Sequence, residues 1–417
     1  MNYPRMYKIR QMIDAPRIDF IEEKMAAELD ALNLKDRIKK GSRIAITAGS
    51  RGIANIDLIY KQIILRLKQL QADPFIIPAM GSHGGGTAEG QLDVLKSLNI
   101  TEKSMGAPIV SSMEVVEIGT SSHGFPVLVD KTAASADGIV VVNRIKPHTE
   151  FEGPVESGLM KMMAIGLGKH KGCFQVHRQT VNFGYRNIIP EIGEIILKTL
   201  PILFGVGIVE NIYDETAIIK AILPDRFFES EKKLLIKAKT YMARLPFDKI
   251  DILILDEIGK NISGTGMDTN VIGRIMFVGE KEPESPKITR IVVLGLTKQA
   301  HGNAVGIGLA DFTTQNVINN IDTFAMATNA ITAMTPEKAR LPISFPTDEA
   351  AINAAFQTIG AVDPENARVV HIKNTLEMGE ITISHALKKE MMNRPTLKIV
   401  QDLGPLAFTD KGRLLPV

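Results

Sequence analysis

The regular exchange between short β-branched runs and stretches of helical periodicity constrains this chain most. Arg43-Ile44-Ala45-Ile46-Thr47 is a short β-rich run. Asp57 to Gln71 then carries Leu58, Ile59, Ile63, Ile64, Leu67 and Leu70 at helical spacing. Phe75-Ile76-Ile77-Pro78-Ala79 predicts the next strand, and Thr87 predicts an N-cap for a helix over Ala88 to Leu98. The run Ala136 to Val142 is almost continuously apolar, as a strand covered on both faces should be. Leu200 to Val209, interrupted by glycine, predicts another buried strand. Neighbouring parallel strands need long crossovers, usually helices. The alternation therefore predicts an α/β fold with largely parallel or mixed sheets.

With 417 residues the chain exceeds the size of one core. Lys233 to Arg244 reads as a charged helix, and Ile250 to Leu255 starts a new strand. Further strands are predicted at Ile288 to Leu296 and Ala367 to Ile372. Two α/β domains are expected, at 1–240 and 248–417, with a ligand crevice between them. Lys+Arg 49 against Asp+Glu 47 leaves a formal charge of +2, and no basic run argues for nucleic acid. No stretch reaches the length of a membrane span, and the start lacks the pattern of a signal peptide. The single cysteine, Cys173, excludes an intrachain disulfide and an all-Cys metal cluster, which fits a reducing, cytoplasmic setting.

Chemistry-bearing residues gather after the predicted strands, where ligands bind in open α/β sheets. His83 lies in Met80-Gly81-Ser82-His83-Gly84-Gly85-Gly86-Thr87, and His148 in Asn143-Arg144-Ile145-Lys146-Pro147-His148-Thr149. Two imidazoles so placed suit proton transfer near neutral pH; the plainer alternative is a pair of surface-loop histidines. The loop Thr47-Ala48-Gly49-Ser50-Arg51-Gly52-Ile53-Ala54 offers Ser50 and Arg51 to a phosphate, or is simply a tight turn. It looks superficially like the cofactor loop of short-chain dehydrogenases. Only Gly52 of that pattern's three glycines is kept, and no tyrosine has a lysine four residues on, so that likeness is rejected. Lys161 sits in an apolar run with Leu159, Met160, Met162 and Met163. Burial would lower its pKa and free a neutral amine, unless the side chain snorkels to the surface. Two polar, Gly-rich loops, 257–270 and 298–308, offer Lys260, Asn261, Asp268, Lys298 and His301 for substrate binding, with turn and cap chemistry as the alternative. His123 reads as a hairpin-turn residue, Cys173 as a small buried one, and His371 and His385 as structural or surface residues.

Taken together and in order, a Ser/Thr-Arg loop, Gly81-Ser82-His83 followed by Thr87 and Glu89, Pro147-His148, and a Gly-rich stretch with Lys161 and a later His177 resemble the nickel-dependent lactate racemase family over about Thr47 to Arg178. The resemblance implies an isomerase, a racemase or epimerase of a 2-hydroxy acid. It implies a nickel-pincer nucleotide: a pyridinium mononucleotide with two sulfur groups and a carbon–nickel bond. Lys161 would carry it through a thioamide, His177 would ligate the nickel, and Ser50 and Arg51 would contact phosphate or substrate. Lys169 or Lys171 compete for the anchor, and His170 for the ligand. His83 and His148 would be the acid/base pair while hydride moves to and from the pyridinium ring. The second domain would contribute substrate-recognition loops. Implied partners are a small-molecule 2-hydroxy acid and the cofactor-biosynthesis enzymes of the cell, and the reading leaves room for a homo-oligomer. Ala48 stands near the place of a family aspartate and Trp is absent, which weighs against lactate itself, while the polar donors of the loops at 257–270 and 298–308 would suit a larger, more hydroxylated substrate such as a sugar acid. Two other readings are kept: a His-ligated metal-dependent hydrolase or lyase using His83, His148 and His177, and a non-catalytic nucleotide or sugar-acid binding protein.

Overall fold

The computed structural model describes residues 1–13 and 15–415. The chain forms two compact units, Ala15–Met242 and a second built from Met1–Asp14 with Ala243–Val417. Strand β1 (Arg5–Gln11) therefore belongs to the second unit. The first unit runs through α1 (Ile21–Asp30), β2 (Arg43–Ala48), α2 (Ile56–Gln69), β3 (Asp73–Pro78) and α3 (Ala88–Ser97). A hairpin of β4 (Val115–Thr120) and β5 (Pro126–Asp130) precedes β6 (Gly138–Arg144). Next come α4 (Lys169–Phe183), α5 (Tyr185–Thr199), β7 (Ile202–Glu210), β8 (Thr216–Ile222) and α6 (Phe227–Tyr241).

Five strands form its main sheet in the order β3-β2-β6-β7-β8. The first four are parallel, and β8 closes the edge antiparallel to β7. Ile59, Ile63, Ile64 and Leu67 form the buried face of α2. With Met25 and Leu29 of α1 they pack on Ile44, Ile46, Ile76, Val140 and Val142. Each side chain taken fully out of water there contributes about 1.5–3 kcal/mol. The Thr87 hydroxyl accepts the Gly90 amide and starts α3 where the sequence predicts. Strand order reverses at β2, whose neighbours are β3 on one side and β6 on the other. The loops leaving the carboxyl ends of β2, β3 and β6 hold Ser50, His83 and His148, respectively, at the switch point where α/β sheets take ligands.

The second unit has an eight-stranded sheet. Its strands after β1 are β9 (Lys249–Leu255), β10 (Lys287–Val293), β11 (Phe312–Thr314), β12 (Ile343–Phe345), β13 (Val369–Ile372), β14 (Glu380–Ser384) and β15 (Leu397–Pro405). The order is β12-β11-β10-β9-β13-β14-β1-β15, parallel as far as β13 and antiparallel beyond it. Helix α7 (Asp348–Gln357) buries Ala351, Ile352, Ala355 and Phe356 against Ile252, Ile254, Val292 and Val369. The expected first domain, 1–240, thus differs from the compact unit at its start. Met6 and Ile9 are fully buried, and β1 pairs with β14 and β15, so the opening residues complete the second sheet. Among the described residues no helix is long and apolar enough to cross a membrane.

Candidate functional site

After β6 the chain makes a loop pinned at its neck, where Lys146 and Ser157 exchange backbone hydrogen bonds of 2.9 and 3.2 Å. His148 lies inside the loop and Lys161 follows the neck. The loop is held from within by Glu156, a fully buried residue. Its carboxylate accepts the His148 amide at 2.7 Å and the Gly153 amide at 3.2 Å. Across the neck, Asn143 donates to the Gly158 carbonyl at 2.8 Å. Leu159–Lys161 is a single helical turn that passes into a five-residue π stretch, Met162–Gly166, closed by Leu167 N–H to Met162 O at 2.9 Å. Such bulges are frequent at functional sites.

The Lys161 amine lies 2.6 Å from His148 Nε2. His148 Nδ1 accepts the Glu150 amide at 3.1 Å, so a neutral ring carries its proton on Nε2. That N–H can donate only to an unprotonated amine. Burial lowers the Lys161 pKa in the same sense; the Glu150 and Cys173 charges oppose it, and the Arg51 charge adds to it. The net shift is downward, which favours the neutral amine, the form able to act as a nucleophile.

His177 projects from α4, and Tyr185 opens α5 beyond the break at Gly184. His177 Nδ1 lies 2.7 Å from the Tyr185 hydroxyl, which donates weakly to Glu150 Oε2 at 3.4 Å. In that relay a neutral His177 ring would donate Nδ1–H to Tyr185, an orienting contact of the kind that metal-ligating histidines make. Tyr185 is fully buried and stacks on Phe151 at 4.8 Å between centroids. Cys173, buried one helical turn before His177, is coupled to it. Burial would lower the His177 pKa, yet the sulfur beside it and the Glu150 carboxylate raise it. Burial would raise the Cys173 thiol, yet His177 lowers it. Gly81 admits this sulfur: its φ is +59°, and a Cβ there would come within 3.0 Å of Cys173 Sγ.

His83 Nδ1 lies 2.5 Å from Ser50 Oγ, which ties the loops after β2 and β3 together. The structure thus joins Ser50 to His83, and Lys161 to His148, with Arg51, Glu150, Cys173 and His177 close enough to Lys161 or to one another to act through charge. The competing residues are placed otherwise. Lys169 is fully buried, donating to Pro78 O and to Gln91 Oε1, each at 2.7 Å, with Asp130 at 3.5 Å. His170 and Lys171 are exposed.

In the second unit the loops after β9 and β10 meet through a parallel bridge between Ile258 and Leu296. There Lys260 donates to Gly264 O at 2.5 Å, Asn261 accepts the Thr297 hydroxyl at 2.6 Å, and Asp268 caps the turn Thr269–Ile272. Turn and cap chemistry engages these three side chains. Lys298 and His301 are exposed on the neighbouring loop.

Glu150 and Tyr185 were not singled out in the sequence. Glu150 could have been found as a carboxylate two residues after His148. Tyr185 follows a helix break, so no periodicity links it to His177.

Among the described residues no group of three or more His, Cys, Asp and Glu side chains could hold a metal ion. His83, His148 and His177 therefore do not assemble the three-ligand site that a His-ligated hydrolase needs. One oriented imidazole beside a soft sulfur, with a low-pKa amine in the same cluster, fits a metal that arrives with its own donors. Residues 8–186 match the lactate racemase N-terminal domain. Among solved structures, the lactate racemase apoprotein from Thermoanaerobacterium thermosaccharolyticum is 15% identical, with a TM-score of 0.53, over 89% of this chain and 99% of that one. A protein from Thermotoga maritima is 12% identical, with a TM-score of 0.53, over 85% of this chain and 96% of that one. At these identities the likeness is one of fold. No curated protein matches the chain.

Proposed function

We propose, from the lactate racemase N-terminal domain that residues 8–186 match, that this protein racemises or epimerises a 2-hydroxy acid. The observation that carries the reading is the Lys161 amine, 2.6 Å from His148 and in one electrostatic cluster with a His177 oriented by Tyr185. Lys161 would hold a nickel-pincer nucleotide covalently and His177 would ligate its nickel, with Ser50 and Arg51 toward its phosphate or the substrate. When bound, the group supplies the acceptor for the hydrogen at C2 of the substrate. The remaining chemistry falls to the protein. His148 and His83 take and return the hydroxyl proton, one for each stereoisomer. Two bases are needed because the mirror-image substrates present their hydroxyls to different sides. Ser50 holds the His83 ring through Nδ1, and the Glu150 amide holds His148. In the second unit, exposed Lys298 and His301 are proposed to bind the substrate carboxylate, with Lys260, Asn261 and Asp268 shaping the loops they stand on. That polar character favours a hydroxylated acid larger than lactate.

The test uses protein made together with the cofactor's biosynthetic enzymes. Intact mass, nickel content and chiral chromatography of a panel of 2-hydroxy acids are measured. A mass increase on Lys161, nickel, and interconversion of stereoisomers are expected. Loaded protein that leaves every acid unchanged would overturn the reading in favour of a binding protein.

A further inference from the structure

Helix α6 bonds to the two segments that carry Lys161 and His148, at sites two turns apart. Near its start the buried Glu231 accepts the Met160 amide through Oε2 at 2.9 Å, capping the turn that carries Lys161. Gly158 makes that approach feasible, since a Cβ there would collide with the Glu231 carboxyl. Eight residues on, Lys239 pairs with Glu156 Oε1 at 2.7 Å. Glu156 in turn accepts the His148 amide. Between these two points Leu235 and Ala238 pack on Ile145, at the root of the His148 loop, and on Val209 of β7. Phe227 fixes the start of α6 against β7, where only the missing side chain of Gly205 leaves room. The helix thus bears on the sheet and grips the two chemistry-bearing segments separately.

We infer that α6 sets the spacing between the Lys161 amine and the His148 imidazole, with Glu231 and Lys239 as positioning residues that each hold one of the two groups. Their place in a reaction rests on the function proposed above; the geometric claim is tested without it. Neither residue touches the reacting atoms. Glu231 acts through the Met160 amide, and Lys239 through Glu156. A helix does this better than a loop because the rise between residues 231 and 239, about 12 Å, is fixed by backbone hydrogen bonding.

The test reads Lys161 in the apoprotein. The rate at which a small acylating reagent modifies Lys161 is followed against pH by peptide mass spectrometry. Wild type should show a midpoint below that of ordinary lysines, because burial beside His148 and Arg51 disfavours the ammonium. Lys239→Met and Glu231→Leu should each move the midpoint up by about one pH unit as the pair loosens and water enters. Lys239→Arg and Glu231→Gln keep the ion pair and the amide acceptor, respectively, and should restore the wild-type midpoint. A purely structural role would lower thermal stability in the Met and Leu variants and leave the midpoint unmoved, and that result overturns the inference. Should Glu231→Leu fail to fold, Lys239→Met decides alone, since that side chain is 29% exposed at the outer end of the helix. In loaded protein Lys239→Met should lower kcat of isomerisation on the order of ten- to a hundredfold with little change in KM. A shifted midpoint without any isomerisation in wild type would retain the positioning role and refute the proposed reaction. Isomerisation with unmoved midpoints would do the reverse.

Discussion

Replacing Glu231 with Gln should remove a pH dependence of stability while leaving the fold intact. The Glu231 side chain is fully buried, Oε2 accepts the Met160 amide, and Oε1 has no hydrogen-bond partner among the described residues. Burial pushes its pKa from 4.5 up to about 7, against the lowering effect of the Met160 and Leu159 amides. Between these two values the folded protein keeps a proton that the unfolded chain has released. The carboxyl's contribution is whole below pH 4.5 and is lost as pH rises toward about 7. At about 1.4 kcal/mol per pH unit, the interval is worth about 3 kcal/mol. Urea unfolding of wild type and Glu231→Gln at half-unit steps from about pH 4.5 to 8 measures it. Wild type should lose about 3 kcal/mol relative to the variant across this window and then run parallel to it. Parallel curves throughout would refute the argument that desolvation dominates at this carboxyl.

Three further outcomes are expected. Lys169→Met strips a buried donor from Pro78 O, Gln91 Oε1 and Asp130 and should cost about 3–5 kcal/mol in urea unfolding, while mass spectrometry still finds the cofactor on Lys161. Loss of the mass increase in a folded Lys169→Met protein would move the anchor there, just as its survival in Lys161→Ala would remove Lys161 from that role. Tyr185→Phe deletes the hydroxyl between His177 and Glu150 and should weaken nickel retention by about ten- to a hundredfold on chelator challenge; unchanged retention would deny His177 its orienting partner. His83→Ala and His148→Ala should each abolish turnover, read by chiral chromatography, with cofactor attachment intact; turnover surviving in either variant would remove that histidine from proton transfer.

How much could be read from the chain alone depended on whether the signal was local. The strand at 138–144 and the buried face of α2 followed from hydrophobic runs and period, because burial on two faces or one writes itself into neighbouring residues. Thr87 as an N-cap was legible for the same reason. His83 and His148 could be nominated from their places after strands, since the carboxyl edge of a parallel sheet is a property of the fold class. Tyr185, Glu231 and Lys239 could not. Each meets the site through tertiary contact, 8, 71 and 83 residues from its nearest bonded partner there. In isolation each reads as an ordinary aromatic or a charged helix surface. In the second unit's loops the sequence left substrate binding and turn chemistry both open for Asp268, and the structure shows its carboxylate capping Thr269–Ile272.

The opening strand carries a consequence for synthesis. Arg5 to Gln11 leave the ribosome roughly 370 to 400 residues ahead of their partners at 380–384 and 397–405. At roughly 5–20 residues per second, about 20 to 80 seconds separate them. Throughout that time Met6 and Ile9 have no native neighbours, although the first unit can close behind them. The second sheet therefore locks only after β15 has been made, when the waiting segment takes its place between β14 and β15.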